Sequence, residues 1–224
     1  MPNRPHVGFE KNVFINCPYD PGYYPLLRPL LFTVIYVGYN PKIASERSDS
    51  GEQRIDKICE LIRESKYSIH DLSRLKCSRK NEFYRLNMPF ELGIDYGSRR
   101  FATNRLKDKR CLILEKEVYD YRSALSDFSG VDIKNHDNDP AMMVRAIRNW
   151  FVETVGLKPL DSPTVIWYRF NDFAFDFYEK RQAEGFTDED LEVLPVQEYV
   201  GFIENWVRPA PATKSAAWKS ASRS

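Results

Sequence analysis

The chain has 224 residues, 42% hydrophobic and 29% charged, enough apolar material for one large globular domain or a domain with an addition. The formal net charge is +1, so bulk charge makes no case for a nucleic-acid or acidic-membrane partner. No apolar run reaches the roughly 18 residues that a membrane span needs, and the polar start from Met1 to Lys11 is unlike a secretory leader. Cys17, Cys59, Cys77 and Cys111 show no metal-ligand spacing, and His6, His70 and His136 are scattered. The expectation is a cytoplasmic protein with reduced thiols and no metal centre.

Val13-Phe14-Ile15-Asn16 is a short apolar run closed by Cys17-Pro18-Tyr19-Asp20, and reads as a buried first strand. Pro25 then leads Leu26, Leu27, Leu30, Leu31, Val34 and Val37, whose three- and four-residue spacing predicts a helix ending near Gly38. Lys42-Ile43-Ala44 is a weak second strand. Ser50 with Gln53 has the pattern of a capping box ahead of the apolar stripe Ile55, Ile58, Cys59, Leu61 and Ile62. Tyr67 to Asp71 is the third strand, running on into Leu72 and Ser73. A basic loop follows to Asn87, then a helix opened by Pro89 and closing near Gly97, with Glu91 in its first turn.

Cys111 to Leu114 reads as a fourth strand and Val131-Asp132-Ile133 as a short fifth, before a helix that Pro140 opens. This alternation predicts an α/β protein with a flavodoxin-like, three-layer parallel sheet over residues 11–157. Beyond Leu157 the pattern becomes helical. Residues 161–180 are rich in aromatics, Thr187 and Asp190 frame a capping signal, and Pro195 leads Val196, Tyr199, Val200, Ile203 and Trp206 at helical spacing. Residues 158–207 read as a helical appendage, and the Pro/Ala/Ser/Lys-rich 208–224 as a disordered tail.

In such a sheet the first and third strands are neighbours at a switch point, where a crevice opens beyond their C-terminal ends. Asn16, Tyr19 and Asp20 follow the first strand, His70, Asp71 and Ser73 end the third, and Asn87 and Glu91 begin the next helix. All are expected over that crevice. A carboxylate near a helix N-terminus is expected to stay ionised. Each residue also has a plainer role: Asn16 and Asp20 as turn formers, Asp71 and Asn87 as caps, and His70 as a hydrogen-bonded core histidine. Arg74, Lys76, Arg79, Lys80 and Arg85 precede Glu91, and Arg99, Arg100, Arg105, Lys107, Lys109 and Arg110 follow its helix. Most read as solvated, two or three of them remain candidates to bind a dinucleotide pyrophosphate or, less favoured, a nucleic-acid backbone, and no glycine-rich phosphate loop accompanies them.

The segments Ile69-His70-Asp71-Leu72-Ser73 and Asn87-Met88-Pro89-Phe90-Glu91-Leu92-Gly93, with the opening Val13-Phe14-Ile15-Asn16, resemble the TIR-like and nucleoside 2-deoxyribosyltransferase-like superfamily over about residues 11–155. The long basic loop and the C-terminal helices depart from that pattern. The resemblance implies N-glycosidic cleavage, with NAD as substrate rather than cofactor, Glu91 as the key glutamate, and an effector role in bacterial antiphage defence.

The chemistry is consistent with that implication. Glycosidases generally use two carboxylates, one of which protonates the leaving group. Nicotinamide leaves NAD as a neutral molecule, so one ionised carboxylate suffices. A neutral nucleoside would need a proton, with Asp71 as the acid and Glu91 as the nucleophile. The expected site is therefore Glu91 and Asp71 for catalysis, with Asn16, Tyr19, Asp20, Ser73 and Asn87 for binding, Tyr19 stacking on a base or nicotinamide ring. Two other functions stay open: a nucleoside or nucleotide N-glycosidase or deoxyribosyltransferase, and a non-catalytic nucleotide-sensing or self-assembling adaptor. Homo-oligomerisation through the C-terminal helices is expected, because their apolar face must be covered.

Overall fold

The structure is a computed structural model that describes residues 8–46, 49–74, 86–117, 125–128 and 130–207. Five strands, β1 (Asn12–Asn16), β2 (Asn40–Ile43), β3 (Tyr67–Asp71), β4 (Arg110–Glu115) and β5 (Lys134–Asn135), form one sheet in the order β2-β1-β3-β4-β5. Every pairing is parallel. The parallel strands demand crossovers. These are supplied by α1 (Tyr24–Tyr36) and α2 (Arg54–Arg63), and the β3–β4 connection carries α3 (Asn87–Arg100). The α/β expectation holds as a parallel sheet covered by helices. The fifth strand lies at Lys134–Asn135 rather than at 131–133.

β1 and β3 are buried at every position, as befits central strands covered on both faces. Their two-residue alternation divides the core. Val13, Ile15, Ile69, Leu112 and Leu114 join α1 and α4 (Pro140–Trp150) in the large cluster. Phe14 packs with Ile58, Leu61 and Ile62 of α2, and Ile113 packs with Leu72 and with Met88 and Leu92 of α3.

α1 is buried almost all round, which is why its apolar residues are not confined to one stripe. One side lies on the sheet. The other is covered by α5 (Pro163–Ala183) and α7 (Val196–Val207), with α6 (Asp188–Glu192) between them. Ile166, Phe170, Phe173 and Phe177 form the buried stripe of α5, and Phe32 of α1 stacks on Phe173 at 5.6 Å. Residues 163–207 therefore share one continuous core with the sheet. Part of the apolar face expected to drive oligomerisation is thus covered inside the chain, while Val165, Tyr168, Phe175 and Tyr178 of α5 stay exposed.

Local signals fix the helix starts. Asp139 caps α4 by accepting from the Ala141 and Met142 amides at 2.7 and 3.0 Å. It is aimed by a turn in which Asp137 and Asn138 take φ of 48° and 54°, residue types that tolerate the left-handed region. Thr187 and Asp190 form the expected capping box of α6. Ser50 does not cap α2: the helix starts at Arg54, and Asp49 instead accepts from the Gly51 amide at 2.8 Å to make a turn. The tail expected over 208–224 lies outside the described residues. No helix among the described residues is long and apolar enough to cross a membrane.

Candidate functional site

The site is built where β1 and β3 end. The Asn16 amide, 1% exposed, donates to the Met88 carbonyl at 2.9 Å and faces His70 Nδ1 at the same distance. The first of these bonds fastens the start of α3 to the end of β1. α3 begins at Asn87, two residues earlier than Pro89 suggests, so Glu91 lies past the first turn, in which no acidic residue stands. The macrodipole acts mainly within that first turn. Burial dominates Glu91 instead: it is 4% exposed, and desolvation raises its pKa, with Arg54 and His70 only partly offsetting it. The helix start therefore does not supply the stabilisation of the Glu91 charge expected of it, and burial acts against that charge. The Glu91 carboxylate takes no hydrogen bond or ion pair among the described residues.

Asp71 faces the other way. It is fully buried. Its Oδ2 accepts from the Tyr23 hydroxyl and lies 3.1 Å from His136 Nε2, while its Oδ1 accepts from the Ser73 amide at 2.8 Å. His136 Nδ1 accepts from the Asn138 amide at 3.1 Å, and its Nε2 stands in ion-pair range of Asp71 without a hydrogen-bond geometry. Burial alone would raise the Asp71 pKa, but the groups around it, His136 foremost, hold it below the usual range. A covered carboxylate held ionised is a poor proton donor, so the general-acid role does not fit Asp71.

His70 joins a third group on the α3 face. Its Nε2 lies 3.0 Å from Asp95 Oδ2, which also accepts from Ser68 at 2.5 Å, while Asp95 Oδ1 lies 3.1 Å from Lys109 Nζ. Lys109 is itself buried and donates to the Ile62 and Ser65 carbonyls at 2.8 and 2.5 Å. Burial would raise the Asp95 pKa, yet His70, Lys109 and Ser68 hold it far below the usual carboxylate range. For His70, burial pulls the pKa down, while Cys111 and Asp95 pull it up to about 9. The Asn16 amide as oriented makes Nδ1 an acceptor and leaves Asn16 Oδ1 buried without a partner. Protonation of Nδ1 therefore requires that amide to turn by half a rotation.

The other expected binders divide. The Tyr19 hydroxyl points inward and donates to the Ile15 carbonyl at 2.6 Å, so only part of its ring is open to a ligand. Burial, then Cys17 and Glu91, push the Tyr19 pKa well up. Both Asp20 oxygens accept from Arg74 Nη1 at 2.7 Å, which diverts that carboxylate from a ribose. Ser73 closes the turn on Asp71, and Asn87 is exposed at the first position of α3 rather than capping it. Of the basic residues, Arg74 is engaged and Lys109 is buried; Lys76, Arg79, Lys80 and Arg85 lie outside the described residues.

The polar ends of β1 and β3 thus form separate groups: Asn16, His70 and Asp95 on the α3 face, Tyr23, Asp71 and His136 on the α1 face, and Glu91 at the crest. Sequence reading missed Asp95, although the stripe Met88, Glu91, Leu92 and Asp95 places two acids on the buried face of one helix. It also missed His136, whose signal is only its place just past β5. The scatter of histidines and cysteines in sequence does not carry over into space: His70, Asp95 and Cys111 offer ligand atoms all within 4.8 Å of one another. No protein-family model matches the chain, and no curated protein matches it.

Proposed function

We propose that this chain is a TIR-like enzyme of flavodoxin-like fold that consumes NAD by cleaving its nicotinamide N-glycosidic bond. The sheet order and the position of Glu91 beyond β1 and β3 support this reading, since α/β sheets bind ligands at such a switch point. One observation carries it. The carboxylates of Asp20, Asp71 and Asp95 are all engaged, whereas Glu91 is nearly buried and has no hydrogen bond or ion pair among the described residues. An under-solvated anion gains most from a cationic partner, and the nicotinamide ring of NAD carries that charge.

The reaction follows from this match. The bond between ribose C1′ and the ring nitrogen breaks, and its electron pair neutralises the ring. Positive charge moves to the ribose, where Glu91 stabilises it. Water then adds at C1′ and loses a proton, or an internal nucleophile closes a cyclic product. No proton donor is needed. Cleavage of a neutral nucleoside would need one, and Asp71 is ill suited to supply it.

The test is nicotinamide release from NAD by the purified full chain beside Glu91→Gln, with a deoxynucleoside panel in parallel. Release by the parent chain, lowered at least about 100-fold in the variant, supports the reading. Equal turnover, release of bases from the panel alone, or no turnover by the parent chain up to the highest soluble concentration overturns it.

A further inference from the structure

The structure assigns a divalent transition-metal site, zinc being the best match, to His70 Nε2, Asp95 Oδ2 and Cys111 Sγ. The three ligands come from β3, α3 and β4, and their atoms already lie within 4.8 Å of one another. Tetrahedral zinc with one sulfur, one nitrogen and one oxygen ligand sets their separations at about 3.3–3.6 Å, so closure asks for shifts of roughly an ångström. His70 Nε2 and Asp95 Oδ2 already stand 3.0 Å apart, and a metal would take the place of the proton between them. Imidazole, carboxylate and thiolate together are a borderline-soft donor set, which favours zinc over calcium or magnesium.

The surroundings are those of a supported site. Ser68 and Lys109 hold Asp95, and Asn16 stands against the far nitrogen of His70. Such outer partners orient metal ligands. Lys109 approaches Asp95 from Oδ1, leaving Oδ2 to the metal, and its charge offsets one of the two anionic ligands. A cavity of about 120 Å³, lined by Leu92, Asp95, Tyr96, Lys109, Cys111 and Ile113 among others, opens beside the cluster. It leaves room for a water or another small ligand in the fourth position.

Binding releases the Cys111 thiol proton to solvent. With the metal on Nε2 in place of a proton, the imidazole N–H stands on Nδ1, and Asn16 turns its unpartnered Oδ1 to accept it. That turn gives up the bond to Met88, so metal loading loosens the start of the helix that carries Glu91.

The test uses the full chain, reduced and stripped by a chelator, then titrated with cobalt(II). One equivalent is expected to give tetrahedral d–d bands and a thiolate charge-transfer band, both lost on adding zinc. Cys111→Ser is expected to lose the charge-transfer band and to bind zinc at least about tenfold more weakly in competition with a chromophoric chelator, while Cys59→Ser matches the parent chain. A second measurement needs no variant: zinc should slow alkylation of Cys111, followed by peptide mass spectrometry. A charge-transfer band that persists in Cys111→Ser, no such band in the parent chain, or an unchanged alkylation rate overturns the assignment.

Discussion

His136 Nε2 lies 3.1 Å from Asp71 Oδ2, with both side chains fully buried, so the end of β3 is tied to the turn after β5 by an internal pair. Removing one partner strands the other in a dry interior. Asp71→Ala should destabilise the chain by about 3–5 kcal/mol in denaturant unfolding, because Tyr23 loses its acceptor and His136 its buried ionic partner. Asp71→Asn keeps an acceptor oxygen and should cost less.

The same carboxylate sets a pH dependence. Its folded pKa is lowered, so its contribution is fully present above the unfolded value of about 3.9 and is lost as pH falls through the lower folded one. Asp95 is shifted in the same direction. Thermal unfolding followed downward from pH 6 should show stability falling below about pH 4. In Asp71→Asn the fall should be shallower.

Glu91 behaves oppositely. Its folded pKa is raised, so its contribution is fully present below the unfolded value of about 4.3 and is lost as pH rises through the folded one. Glu91→Gln removes that loss. The variant should melt higher than the parent chain at pH 7, each kcal/mol appearing as roughly 2–4 °C, and the gap should close at low pH. A lower melting temperature at pH 7 would show that the charge is compensated. A variant that is more stable and yet inactive is the signature of a carboxylate kept for function.

The C-terminal helices predict the outcome of truncation. Phe173, 1% exposed, packs on Phe32 and lies edge-on to Tyr199 and Trp206. Phe173→Ala should lose about 3–5 kcal/mol in denaturant unfolding. A chain ending at residue 157 uncovers Phe32 and should aggregate or lose cooperative unfolding, seen by light scattering and calorimetry, rather than form a smaller oligomer.

Element type was readable where a strong local signal stands: unbroken apolar runs in β1 and β3, Pro25 ahead of a leucine stripe, Pro140 opening α4, and the capping pair Thr187 and Asp190. The joining of the C-terminal helices to the sheet was not readable. A helix apolar on all sides, as α1 is, can be covered by any other element, and its own sequence does not say which. The site was legible only in its anchors. Asn16 and Asp71 stand at strand ends and Glu91 follows the start of α3, where spacing locates them. Asp95, Lys109 and His136 enter through register and packing. Adjacent positions also mislead: His70 and Asp71 look like one polar tip, but a strand sends them to opposite faces.

That division of β3 acts as a lock on its own alignment. A slip of one residue would exchange its two faces, bringing the carboxylate of Asp71 toward that of Asp95 and setting His70 opposite His136. Two anions would then meet in a dry layer, and Lys109 alone would have to answer both. Apolar side chains would tolerate such a slip far better, since isoleucine replaces leucine at small cost. The buried charges thus make the misaligned sheet expensive, and they hold the strand ends beside which Glu91 is buried.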